Sequence, residues 1–139
     1  MPYYPDFSLY DYDYYSPPEG STIGWLMKGH EYQRGDVEIE DLENLADLGY
    51  LLEEQSRGYH YCTFCGKAEL QYAWSERFDS KYSLGSAEIR VRSADGTLYI
   101  APNLITHYIL DHGYLPPAEF LEAVRADVRR RWPEGPERP

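Results

Sequence analysis

Cysteine is nearly absent from this chain, with two residues in 139, Cys62 and Cys65. Two thiols exclude a framework of disulfides, so the fold has to rest on a buried core, on metal, or on both. No apolar run is long enough to span a bilayer. The opening MPYYPDFSLYDYDYY has neither the basic start nor the apolar stretch of a secretory signal. These absences lead us to expect a cytoplasmic protein with no membrane partner, and a reducing compartment favours metal binding or free thiols. Also missing are a phosphate-cradling glycine loop, G-x-S-x-G and H-E-x-x-H, so no motif speaks for catalysis. No internal repeat is visible.

What is present suits one globular domain of 139 residues, with 42% hydrophobic and 27% charged side chains and a mean hydropathy of -0.65. Fifteen tyrosines supply much of the apolar content as amphipathic rings. The net charge of -11 is uneven: residues 1 to 80 carry 16 acids against 5 bases, whereas residues 81 to 139 carry 8 of each. Direct nucleic-acid binding is disfavoured, because affinity for a polyanion rests on lysine and arginine. A basic protein is the better partner, and the plain alternative is a solubilising surface.

Residues 1 to 20 hold tyrosines and aspartates with no sustained period, and read as an extended arm. Tyr3, Tyr4, Phe7, Tyr10, Tyr12, Tyr14 and Tyr15 are too many rings for a solvated tail. The run TIGWLMKGH, residues 22 to 30, has the character of a short buried strand. A helix capped by Asp36 is expected through about Glu54, with Ile39, Leu42, Leu45, Ala46 and Leu52 inward and an acidic outer face. Residues 67 to 85 give no clean period and read as loop with a possible strand. SAEIRVRSADGTLYIAP alternates as a β-hairpin, and Asp95-Gly96 suits a two-residue turn that places Val91 opposite Ile100 and Arg92 opposite Tyr99. One helix is expected after Pro102-Asn103 with a stop at Gly113. A second starts at Pro116-Pro117, buries Phe120, Leu121, Val124 and Val128, and ends on Arg129 to Arg131. Residues 21 to 132 thus form a single domain, and residues 133 to 139 a fraying tail.

Cys62-x2-Cys65 followed by His107-x4-His112 matches the spacing of Cys2His2 zinc sites. A turn with two cysteines, a hairpin and a helix with two more ligands describe a small treble-clef-like α+β domain, and Gly66 permits the turn. One obstacle is angular: histidines five apart point about 140° apart on a regular helix. His112 therefore needs a loosened last turn before Gly113. Two other readings of the cysteines stay open, chance spacing and a redox disulfide. His60 and His30 are spare ligand candidates, His60 as a replacement for His112.

Four protein ligands fill a tetrahedron and leave no place for the water a catalytic zinc needs, which marks the site as structural. A metal-dependent hydrolase would need one ligand absent, with Asp111 or Glu69 as general base. The chain resembles a family of small bacterial proteins classed as a domain of unknown function. The resemblance lies in Ile23 to His30 (I-G-W-L-x-x-G-H), Cys62 to Cys65, Gly85 to Val91 (G-S-A-E-I-R-V), and Tyr99 to Phe120, and spans about Asp6 to Val124. It implies that Cys62, Cys65, His107 and His112 belong together and implies no activity. The function expected is a zinc-braced module that binds another macromolecule, of adaptor or immunity-like kind. The alternatives are the hydrolase and a polyanion mimic that occupies a nucleic-acid-binding protein.

Overall fold

A computed structural model describes residues 3–11, 20–56 and 58–134. Tyr12, Tyr14, Tyr15 and residues 135 to 139 lie outside the described residues. The elements are β1 (Ser21–Thr22), α1 (Ile39–Gly49), β2 (Tyr72–Ser75), β3 (Ser80–Ser83), β4 (Glu88–Arg92), β5 (Leu98–Pro102), α2 (Ile105–His112) and α3 (Ala118–Arg131). Among the described residues, three helices and two small sheets make the architecture α+β. Among the described residues no helix is long and apolar enough to cross a membrane.

The central sheet has the order β1-β5-β4, with β1 parallel and β4 antiparallel to β5. β5 is buried on both faces, which explains why LYIAP has few polar residues. On the inner face Ile89, Val91, Tyr99 and Ala101 meet Leu45, Leu48, Leu104, Ile105, Tyr108, Phe120 and Val124 of the three helices and their approaches. On the outer face Ile100 packs with Tyr10 and Trp25. The segment from Phe7 to Tyr10 runs antiparallel beside residues 20 to 22, through hydrogen bonds from Phe7 N–H to the Thr22 carbonyl and from Thr22 N–H to the Ser8 carbonyl. Its Tyr10 hydroxyl donates to the Glu88 carboxylate at the start of β4.

Several expectations need correction. The strand sought in residues 22 to 30 is only two residues long, because Gly24 takes φ +76 and turns the chain off the sheet. Ile23, Trp25 and Leu26 are nevertheless buried, from irregular backbone. α1 starts at Ile39 after Glu38 and has no side-chain cap, so Asp36 does not serve. It stops at Gly49, well before Glu54, and Leu52 beyond it stands at φ +53. Ile39 is 70% exposed rather than inward, while Asp41 and Asp47 of the supposed solvated face are buried. Asp41 receives a two-pronged contact from Arg125 of α3, at 2.9 and 2.7 Å, and Asp47 accepts from the Ser75 hydroxyl at 2.7 Å.

The β4–β5 register is one residue off the expected one: Val91 faces Tyr99 and Arg90 faces Ile100. The turn is longer than two residues because Ser93 N–H donates to the Thr97 carbonyl and Gly96, at φ +90, donates to the Ser93 carbonyl. This is the three-residue hairpin with glycine in the left-handed position. Asp95 anchors it by accepting from the Ser93 hydroxyl and from Thr97 N–H. Residues 67 to 85 contain a full hairpin, β2–β3, so two hairpins rather than one separate the cysteines from α2.

Candidate metal centre

The four sequence-selected side chains converge. One donor atom from each of Cys62, Cys65, His107 and His112 lies within 4.8 Å of the others. Cys62 Sγ is 3.3 Å from His112 Nε2, and Cys65 Sγ is 3.3 Å from His107 Nε2 and 3.6 Å from His112 Nε2. In a tetrahedron with Zn–S of 2.3 Å and Zn–N of 2.0–2.1 Å, the donors stand about 3.3–3.8 Å apart. The three sulfur–nitrogen separations just given match that range, so the residues fit such an ion.

Both residues inside C-x-x-C hold the turn in place. The Thr63 hydroxyl accepts from Lys28 N–H at 2.7 Å, which ties the turn to the segment before His30. The Phe64 ring lies against His112, Tyr32 and Tyr108, with centroids 5.1, 5.4 and 6.1 Å away. Backbone N–H groups of Phe64 and Cys65 donate to Cys62 sulfur, the second-half polarity a thiolate requires. Both cysteines are free thiols.

α2 solves the angular problem by widening its last turn. The Gly113 N–H reaches the Tyr108 carbonyl, five residues back rather than four, and the Tyr114 N–H reaches the same oxygen. A turn closed over five residues brings side chains five apart towards the same side. Gly113 supports this with φ +66. The His112 carbonyl, freed at the helix end, accepts from the Tyr32 hydroxyl at 2.8 Å and from Arg34 Nη1 at 3.1 Å. Arg34 also lies 4.5 Å over the Tyr32 ring, a cation placed where the helix dipole is negative.

Without metal, Cys62 and His107 favour their neutral forms. Burial pushes the Cys62 thiol up to about 11, against the lowering effect of the Phe64 and Cys65 N–H groups. Burial lowers His107, with Asp111 opposing and His112 adding to the shift. A divalent cation inverts this preference for the thiols, because its charge stabilises thiolate. The Asp111 carboxylate lies 3.3 Å from His107 Nδ1. That contact keeps the proton on Nδ1 and leaves Nε2 to face Cys65. Asp111 thus lies on the Nδ1 side of His107, away from the Nε2 that faces Cys65, rather than in the general-base position considered for a hydrolase.

The remaining candidates lie elsewhere. His30 stacks on Tyr3 with ring centroids 3.8 Å apart, and His60 lines a small cavity with Glu88, Ser86 and Trp25. Glu69 is exposed and pairs with Lys67 at 3.6 Å. Sequence reasoning missed the part of Tyr32, whose contact with the His112 carbonyl joins residues 80 apart and has no local signal. Asp111's place against His107 was also missed, although His107-x3-Asp111 is the helical spacing at which side chains meet and could have shown it.

The chain belongs to the family described as a domain of unknown function (DUF7919), whose model matches residues 2–125. That span contains all four convergent residues. No curated protein and no solved structure matches the chain.

Proposed function

We propose that Cys62, Cys65, His107 and His112 hold one zinc ion in a closed shell, and that the domain so braced binds another protein carrying a basic surface. The observation that carries the metal reading is the convergence of two sulfurs and two imidazole nitrogens at tetrahedral spacings. A soft-plus-borderline set of two sulfurs and two nitrogens suits zinc above magnesium or calcium, which take oxygen. The ion, when bound, fastens the Cys62 turn to the end of α2. The order of knuckle, hairpins and ligand-bearing helix supports a treble-clef-like description.

A structural role follows from the donor count, since four protein ligands leave no site for a reacting water. The hydrolase reading is weaker for the further reason that Asp111 faces His107 Nδ1. The binding role rests on charge: -11 overall, concentrated in residues 1 to 80. Metal analysis of protein expressed in zinc-supplemented medium tests the first half. One equivalent per chain, lost in Cys65→Ser together with thermal stability, is the expected result. Three protein ligands plus a water would revive the hydrolase, and capture of nucleic-acid enzymes alone from the native host would favour the polyanion mimic.

A further inference from the structure

The outer face of the β2–β3 hairpin exposes rings that the fold does not use. Alternation along β2 turns Ala73 and Ser75 inward and Tyr72 and Trp74 outward, 53% and 47% exposed. Opposite them on the same face stand Ser83 and Lys81. Tyr59 joins this surface from the loop before the cysteines, its hydroxyl accepting from the Ser83 hydroxyl at 3.2 Å. Among the described residues eight large hydrophobics are exposed. Three of them share this one surface, whereas isolated exposed rings would need no explanation.

The chemistry of the surface points to a cation. Lys81 Nζ already lies 4.6 Å over the Tyr72 ring, and no cation of the described residues covers Trp74, the ring with the strongest attraction for one. Arg77, at the hairpin tip, is drawn inward: it is buried, lies 4.3 Å over Trp132 and stands 3.9 Å from Asp47. Glu76 and Asp79, also at the tip, are exposed, within a chain of net charge -11. Stacked nucleotide bases would also suit rings, but their phosphates would meet that negative field.

We propose that the Tyr59–Tyr72–Trp74 face docks an arginine- or lysine-rich segment of a partner protein, with a cationic side chain over Trp74. This rests on the protein-binding reading above and names its surface. The test titrates the full-length, zinc-loaded protein at physiological salt with three fluorescent probes: an arginine/glycine peptide, a glutamate/glycine peptide of equal length, and a single-stranded oligonucleotide. Saturable binding of the basic peptide alone is expected, weakened about tenfold or more by Trp74→Ala and by Tyr72→Ala. Leu110→Ala, which removes an exposed hydrophobic elsewhere, should leave it unchanged. None of these substitutions alters charge, so general electrostatics cannot produce the difference. Melting and metal content check that each variant is folded. Binding that survives Trp74→Ala overturns this surface and keeps the protein-binding reading. Failure of the basic peptide to bind the wild type, or preference for the oligonucleotide, overturns both.

Discussion

The two ends of the unit formed by β5 and α2 are held in different ways. At the α2 end, four donor atoms gather around a turn whose Cys65, Phe64 and His112 are only half-buried. At the outer face of β5, Tyr10, Trp25 and Ile100 are almost wholly buried, and the Trp25 indole donates to the Ile100 carbonyl at 2.9 Å. The first region adds two sulfurs and two imidazoles to its apolar contacts, the donor set to which an ion is assigned under the proposed function. The second has aromatic area and depends on water exclusion.

The largest effect separating the two regions should come from the metal. Chelation or Cys65→Ser is expected to cost on the order of 5 kcal/mol or more, since binding free energy is folding free energy at such a site. In a chain of this length that lowers the melting temperature by roughly 15–20 °C or more, which calorimetry reads directly. Trp25→Ala should cost about 3–5 kcal/mol through the cavity it leaves, yet metal content measured on the folded fraction should stay at one equivalent. If Trp25→Ala also empties the site, the two regions are one cooperative unit and the contrast fails.

The pH dependence sharpens the contrast because its sign changes with metal. In the metal-free protein the Cys62 thiol is held up at about 11, above its ordinary 9.0. The folded state then keeps a proton that the unfolded chain gives up, so this contribution is full below pH 9 and is lost as pH rises towards 11. In the loaded protein the thiolates carry no proton, and stability falls on the acid side as protons compete for sulfur and imidazole. The gap in melting temperature between loaded and chelated protein should therefore widen from pH 9 to 11. Tyr10 and Tyr114, held above their ordinary range first by burial and with no contribution from the cysteines, act on both forms alike and cancel in the difference.

Smaller effects probe how the ligands are held. Asp111→Asn should weaken zinc affinity about tenfold in competition with a chromogenic chelator, while the chelated protein melts as the wild type does. Gly113→Ala places a side chain at φ +66 and should cost about 1 kcal/mol, with a small drop in affinity as His112 shifts.

The difference between the regions also decides what a reader of the sequence can find. C-x2-C and H-x4-H are local, so the donors were legible, and the widened last turn of α2 followed from the angle that five-residue spacing forbids. The helices after Pro102 and Pro117 and the β4–β5 hairpin were legible from their punctuation and alternation, although a turn one residue longer than expected shifted the register. What was hidden depended on distant partners. Asp41 and Asp47 looked like solvated acids because Arg125 and Ser75, which bury them, lie far along the chain. The β2–β3 hairpin was hidden because its pattern is inverted: Ser75 and Ser80 face inward while Tyr72 and Trp74 face out.

The most direct measurement is X-ray absorption at the zinc edge on the purified full-length protein, paired with native mass spectrometry. One ion per chain bound by two sulfurs and two nitrogens, absent from Cys65→Ser, is the predicted result. A folded wild-type chain that carries no metal, and whose melting a chelator leaves unmoved, would contradict the account.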